Sequence, residues 1–407
     1  MKNMSISIIE FSAENFKIFK KKVTFSMLSR KSKHTFVCND GNLLKTSLIY
    51  GPNASGKSSL FQALTILRHV IINSANNTEN SELPYHPFIL SSSTTKPSFY
   101  EVVFSLDKRT FRYNFSILKK EIVKENLFEI LLNENEKKCL IRNRQDIKLF
   151  GDFKKSEDIK QKVRKETLFL SAASQWNDSF AMEIVDAFKD INVISGPESD
   201  RYRSYTIKMF EKNKKNKEKI LDFLRKADFC IKDGSIEEME LPDFVKQQLP
   251  SNLKEVPDKV TTIYFSHDKF NSKNESIGME KINIGDESIG TQKFFNILGP
   301  IVDTIEKGKV LLIDEFDNSL HPYLTKLILD LFENNNVKNS QVIVTTHDTS
   351  LLTYKEFSKE QIWFTEKDKF GVGSLFSLAE FDLRNDTEYS KKYLEGKFGA
   401  LPFIESL

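Results

Sequence analysis

Three short apolar runs, each ending abruptly in polar residues, mark the interior of this chain: Thr46-Ser47-Leu48-Ile49-Tyr50, Lys309-Val310-Leu311-Leu312-Ile313 and Gln341 to Thr346 (QVIVTT). Runs this short and this continuous predict strands covered on both faces, as in a parallel sheet. Apolar residues at helical spacing follow the first run in Ser58 to Ile72 and the second in Pro322 to Asn334. Gln361-Ile362-Trp363-Phe364 predicts one more strand. From Pro97 onward the period becomes two: SFYEVVFSLDKRTFRYNFSIL alternates and breaks at Asp107-Lys108, which predicts an antiparallel hairpin. Further strands are expected through Ile130 and Ile147. Ser5 to Phe16 and Val23 to Leu28 predict a second hairpin, and the NFKIFKKK that joins them reads as a solvated turn.

The remaining stretches are less regular. Asn73 to Glu82 reads as a surface loop, and Lys154 to Glu166 as charged and helical. Leu168 to Asp178 (LFLSAASQWND) predicts a short strand ending in a polar loop that carries Gln175. Phe180 to Leu249 has helical spacing in FAMEIVDAF and ILDFLRKADFCI, so a helical lobe is expected there, before a strand at Val260 to Phe265. The expected fold is α/β, with a mostly parallel core sheet, an antiparallel β subdomain and an inserted helical lobe. The corresponding segments are 1–178, 179–259 and 260–407.

Composition narrows the class without choosing a function. At 407 residues, 39% hydrophobic and 29% charged, the chain suits a large soluble protein. Sixty Lys and Arg against 57 Asp and Glu give a net charge of +3, so nucleic acid would need a local patch. Lys17 to Lys22 and Lys208 to Lys219 are the candidate patches. Cys38, Cys139 and Cys230 form no C-x-x-C pair, which argues against a zinc site or a disulfide framework. The N-terminus is not a signal peptide and no apolar run reaches the ~20 residues of a membrane span. A cytoplasmic protein is expected.

The chemistry starts at Leu48 to Leu60, LIYGPNASGKSSL. Gly51, Gly56, Lys57 and Ser58 fit G-x-x-x-x-G-K-[ST], between a strand and a helix. The glycines let backbone N–H groups turn toward phosphate oxygens at the positive end of the helix. Asn53, Ala54, Ser55, Gly56, Lys57, Ser58 and Ser59 are thus expected to hold ATP, with the Ser58 hydroxyl on Mg²⁺. Asp314 and Glu315 close an apolar strand, where α/β sheets place ligands. Asp314 suits the Mg²⁺ shell and Glu315 the attacking water. In ESIGTQKFFNI, Ser288 and Gly290 open a predicted helix, which is either a second phosphate-binding surface or a plain helix cap.

Phosphate loop, S-x-G-T-Q, LLIDEFDNSLHP and VTTHD, in that order, resemble the ABC-type ATPase head of SMC, RecF and overcoming-lysogenization-defect proteins. The resemblance implies two heads meeting head to tail around two ATP molecules. It assigns Ser288 and Gly290 to the signature that touches ATP held by the other subunit. Ser319-Leu320-His321-Pro322 match the interface loop, and His347 the switch histidine at the γ-phosphate. Gln175 matches the glutamine that senses Mg²⁺ and the attacking water. Departures from L-S-G-G-Q are Glu287, Ile289 and the interposed Thr291.

ESIGTQKFF, IDEFDNSLHP, THDTSLL, QIWFTEKD and YLEGKFGALPF are similar to ATPases of bacterial abortive-infection and anti-phage systems of the AbiL/RloA type. This resemblance implies a homodimer or higher oligomer that controls a separately encoded effector, a nuclease or toxin. The 60 residues after His347 are too few for a Toprim-like nuclease domain. The alternatives are a RecF-like ATPase that binds DNA through its basic runs, the motor of a membrane transporter, and a nuclease in its own right.

Overall fold

The computed structural model describes residues 6–30, 32, 35–38, 41–78, 81–91, 95–195, 197–227, 229–240, 259–318, 320–334, 336, 338–353, 357–383 and 388–401. Ser319, Pro402, Phe403 and the end of the helical stretch at Leu249 lie outside the described residues. The strands before the phosphate loop are β1 (Ile6–Glu14), β2 (Val23–Ser26), β3 (Leu28–Ser29), β4 (Thr35–Cys38), β5 (Gly41–Leu44) and β6 (Thr46–Tyr50). After it come β7 (Ser98–Leu106), β8 (Arg109–Leu118), β9 (Glu121–Ile130), β10 (Glu136–Asn143), β11 (Asp146–Leu149), β12 (Ile191–Ser195) and β13 (Asp233–Glu240). The last are β14 (Lys259–Phe270), β15 (Ser276–Asn283), β16 (Val310–Asp314), β17 (Gln341–Thr345), β18 (Ile362–Lys367) and β19 (Gly373–Ser377). The α-helices are α1 (Lys57–Asn73), α2 (Phe169–Gln175), α3 (Ser179–Lys189), α4 (Arg203–Lys212), α5 (Lys214–Lys226), α6 (Ile289–Lys307), α7 (Pro322–Asn334) and α8 (Tyr389–Leu394).

Two compact units result, one of Met1–Gly196, Thr304–Asp317 and Ile328–Leu407, the other of Pro197–Asp303 and Asn318–Leu327. The first unit holds a six-stranded sheet in the order β12-β16-β17-β6-β18-β19. Its first five strands run parallel and β19 is antiparallel. Every residue of β6 and β17 is buried, as the continuous apolar runs require. A seven-stranded antiparallel sheet, β11-β10-β9-β8-β7-β1-β2, forms the other layer. Its β7–β8 hairpin turns at Asp107, with φ 53°, where the sequence breaks.

Between these layers α1 buries Leu60, Phe61, Ala63, Leu64, Leu67, Val70 and Ile71 in one core with residues of both sheets. Each large side chain contributes roughly 1.5–3 kcal/mol by leaving water. A polar stitch joins the layers as well. The buried Gln341 amide accepts from the Ile8 N–H at 2.7 Å and donates to the Ile8 carbonyl at 3.0 Å. It thereby satisfies backbone groups beside the register shift in β1, which burial would otherwise penalise.

Three expectations change here. Leu168 to Gln175 is not a strand: Phe169–Gln175 is α2, whose Phe169, Leu170, Ala172 and Ala173 are buried. The basic turn is solvated only at its lysines. Phe16 and Phe19 are fully buried and pair with each other as a bridge. The insertion starts at Pro197 rather than 179, because α3 packs in the main core and Ile191–Ser195 joins the parallel sheet beside β16. Strand pairing between segments over a hundred residues apart leaves no local trace in INVIS.

The second unit contains the three-stranded antiparallel sheet β13-β14-β15 with α4, α5 and most of α6. Phe265 of β14 packs on Phe295, and Phe229 on Phe294. Pro300 lies inside α6, where its missing N–H deprives the carbonyl of Asn296 of its usual donor. The Thr206 hydroxyl of α4 replaces it, donating to Asn296 O at 2.7 Å and accepting from the Gly299 N–H at 3.1 Å.

Candidate functional site

The site begins where β6 hands the chain to α1. Gly51 has φ 154°, and a Cβ there would lie 2.4 Å from the Thr365 carbonyl oxygen and 2.6 Å from Ser55 Oγ. Gly56, with φ 118°, caps α1, and its Cβ would lie 2.6 Å from Ile18. Neither position has space for a side chain. Ala54, at φ 60°, adds a left-handed residue, so successive N–H groups turn toward one concavity. The first turn of α1 carries no acidic residue, leaving its positive end unopposed. Ser55 Oγ sits 2.6 Å from Thr365 Oγ1, so β18 braces the loop. Asn53 and Ala54 are exposed, and Ser58 and Ser59 half-buried.

The Lys57 ammonium folds back into this loop and donates to the carbonyls of Gly51 at 2.6 Å and Pro52 at 3.2 Å. Burial lowers its pKa to about 8, while Asp314, Asp317 and Glu315 pull it upward. Those three carboxylates lie on β16 and the turn after it. The Thr345 hydroxyl, at the end of β17, donates to Asp314 Oδ1 at 2.6 Å and accepts from the Glu315 N–H at 2.8 Å. Glu315 itself takes a left-handed backbone, φ 50°, a conformation that costs of order 1–3 kcal/mol and gathers at functional sites. His347 follows β17, and its N–H donates to both Asp317 oxygens at 3.2 Å. Burial and then the Lys57 charge push the His347 imidazole below its ordinary pKa, with Asp317 and Glu315 opposing.

Lys57, Asp314, Glu315 and His347 are therefore brought together at the carboxyl ends of β6, β16 and β17, three adjacent strands. Gln175 does not join them. Its side-chain amide donates to Asn76 Oδ1 at 2.5 Å, just beyond the far end of α1. Seventeen residues of helix separate that end from the phosphate loop, about 25 Å at 1.5 Å per residue. The residue that the fold sets opposite Asp314 is Ser195, the last of β12. Thr345 and Asp317 are further site residues that motif spacing did not single out.

Ser288 and Gly290 belong to the other unit. There Ser288 Oγ accepts from the Thr291 N–H at 3.1 Å and lies 2.8 Å from Thr291 Oγ1, capping α6. Gln292 donates to the carbonyls of Glu287 at 2.9 Å and Gly285 at 3.2 Å, and accepts from Arg203 at 3.0 Å. Glu287, which stands where the general signature has Leu, pairs with His267 at 2.7 Å. The signature turn is thus fixed from both sides, leaving Ile289 68% exposed. His321 Nδ1 accepts from the Tyr323 N–H at 3.2 Å, a capping contact at the start of α7.

A family described as "AAA domain, putative AbiEii toxin, Type IV TA system" matches residues 47–353. No match was found among curated proteins. Among solved structures, the chain is similar to an SMC head bound to the C-winged helix domain of ScpA, at 16% identity over 91% of this chain and 97% of that one, with a TM-score of 0.47. The SMC head domain from Thermotoga maritima gives 14%, 92%, 99% and 0.43. An SMC head with an extended coiled coil bound to the C-terminal domain of ScpA, from Pyrococcus furiosus, gives 14%, 97%, 100% and 0.41.

Proposed function

This chain belongs to the AAA-domain family that matches it, and from that premise we propose that it hydrolyses ATP and that ATP closes two copies head to tail. The observation that carries the reading is the convergence of a phosphate loop, an acidic pair and a histidine at the ends of three neighbouring parallel strands. Lys57 holds the β- and γ-phosphates once they displace its bonds to the loop carbonyls. Glu315 takes the proton of the attacking water, and His347 donates to the γ-phosphate. Ser58 and Asp314 are hard oxygen donors of the kind that suit Mg²⁺, which when bound neutralises charge on the phosphate oxygens. Ser288 and Gly290 complete the site of the other copy. In this reading the output is an effector encoded as a separate chain, in anti-phage defence of the AbiL/RloA type. The residues supporting it are the signature, the acidic turn and the C-terminal motifs named above.

Direct DNA binding is the weaker reading, because the basic runs are partly engaged within the chain. Lys17 bonds Gln62, Lys22 bonds Glu101 and Lys217 pairs with Asp233. A transporter motor has no support in the fold beyond the shared nucleotide chemistry; among the described residues no helix is long and apolar enough to cross a membrane.

Light scattering with ATP and Mg²⁺ tests the dimer. The wild type is expected to double in mass, and Ser288→Arg to stay single while losing turnover. Turnover that persists in Ser288→Arg, with no doubling in the wild type, would remove the trans-acting signature from the account. The loss of one helix cap costs about 1 kcal/mol, too little to unfold the unit.

Lys57 supplies a pH test. Its folded pKa, about 8, lies below the 10.5 of an ordinary lysine. Between those values the unfolded chain holds a proton that the folded site has lost, so this group makes stability rise with pH across that window. A triphosphate in the loop raises the pKa again. In His347→Ala protein, which lacks the other base at the γ-phosphate, binding of Mg-ATP at pH 8.5 should then take up protons, and at pH 6.5 almost none. Calorimetry in buffers of different ionisation enthalpy reads this directly, and equal uptake at both pH values would rule Lys57 out as its source.

A further inference from the structure

Thr346, His347 and Asp348 form a three-residue link between β17 and the turn that follows, and the link is held from outside it on both sides of the imidazole. The His347 N–H donates to both oxygens of Asp317. The Asp348 carbonyl accepts from the Tyr50 hydroxyl at 3.1 Å. Tyr50 is the last residue of β6, next to Gly51, and Asp317 lies three residues beyond Asp314. We propose that Tyr50 and Asp317 are positioning residues for the His347 imidazole, clamping its backbone between the strand that enters the phosphate loop and the turn that carries the acidic pair. This rests on the reading of His347 as the γ-phosphate contact.

The clamp is rigid on the Tyr50 side. Its ring is 1% exposed and packs 6.1 Å from Tyr393 and 6.2 Å from Phe364, centroid to centroid. Tyr393 also stacks on Phe364 at 5.4 Å and donates its hydroxyl to the Ala400 carbonyl at 2.9 Å. The C-terminal turn YLEGKFGA thereby acts on the site through Tyr50. Burial, then Asp348 and Asp317, raise the Tyr50 pKa well above its ordinary value, so the hydroxyl remains a donor. Inside the link, the Asp348 N–H donates to Thr346 Oγ1 at 3.0 Å and Asp348 Oδ1 accepts from the Ser350 N–H at 2.9 Å. Main chain on both sides of the histidine is therefore fixed. An imidazole so held meets a phosphate oxygen without first being ordered, which is where positioning acts on rate rather than on binding.

Tyr50→Phe removes one oxygen and keeps the ring, so the fold should survive, with an unfolding midpoint only slightly lowered by the lost hydrogen bond. Its kcat for ATP is expected to fall about three- to tenfold with KM changed less than about twofold. Combined with His347→Ala, it should cause no further loss, because the clamp has nothing left to aim. Asp317→Asn keeps an acceptor oxygen and should retain more activity than Asp317→Ala. An unchanged kcat in Tyr50→Phe would overturn the proposal. So would the same fold-loss in the wild type and His347→Ala backgrounds, or equal losses in the two Asp317 variants. A wild type that turns over no ATP would instead refute the ATPase reading. The clamp would then be judged from the His347 ring signals in nucleotide-free protein by ¹⁵N NMR: a shift in Tyr50→Phe supports it, and identical spectra overturn it.

Discussion

Glu315→Gln is expected to lower ATP turnover at least about a hundredfold while leaving ATP binding in place, since a positioned general base is worth roughly 10²–10⁴ in rate. Gln is nearly isosteric, so the left-handed turn at Glu315 and the bond from its N–H to Thr345 should both survive. What is lost is the acceptor for the water's proton. Because ATP remains uncleaved, the variant should also accumulate as an ATP-dependent dimer that outlives that of the wild type. Single-turnover hydrolysis and mass in solution, measured on the same samples, separate the outcomes. Undiminished turnover would sink the assignment of Glu315. Lost turnover without a lasting dimer would keep the ATPase chemistry and move the gating surface to a partner chain.

The features of this site that were legible in the sequence are those whose chemistry follows immediately on a strand. Leu48-Ile49-Tyr50 before the phosphate loop, Leu311-Leu312-Ile313 before Asp314 and QVIVTT before His347 are local patterns, and the parallel sheet aligns their ends. Gln175 lies elsewhere: its segment, LFLSAASQWND, is apolar enough to read as a strand. In the structure its small residues form a helix that docks beside α1 and α3. The strand that does reach Asp314, β12, has an unremarkable sequence and is defined only by its pairing with β16. Tyr50 looked like an ordinary strand residue, and Asp317 like one more acid in a polar turn. Their roles depend on bonds to a segment about 300 and 30 residues away, a distance over which periodicity carries no information.

The largest effect on stability is expected outside the site, at Glu125. Its carboxylate is fully buried in β9 and serves four donors: Arg142 Nη1 at 3.2 Å, the Tyr113 hydroxyl at 2.8 Å, and the N–H groups of Phe169 at 2.7 Å and Leu170 at 3.0 Å. The last two open α2, so one side chain joins the antiparallel sheet to that helix. Arg142, 1% exposed, also donates to the carbonyls of Arg144, Thr167 and Arg164. Glu125→Ala leaves a guanidinium buried without its counter-charge and should destabilise the first unit by about 3–5 kcal/mol. Replacing both partners, as Glu125→Leu with Arg142→Met, removes the unpaired charge but still strands the two N–H groups of α2, the Tyr113 hydroxyl and the carbonyls that Arg142 serves. Each of those costs about 1–3 kcal/mol, so the double variant should recover only part of the loss. Urea midpoints of the single and double variants measure this. If the double variant regains wild-type stability, the glutamate matters only as the counter-charge of Arg142; if it remains low, the hydrogen bonds of the pair to α2, Tyr113 and the neighbouring carbonyls are what hold this corner of the unit together.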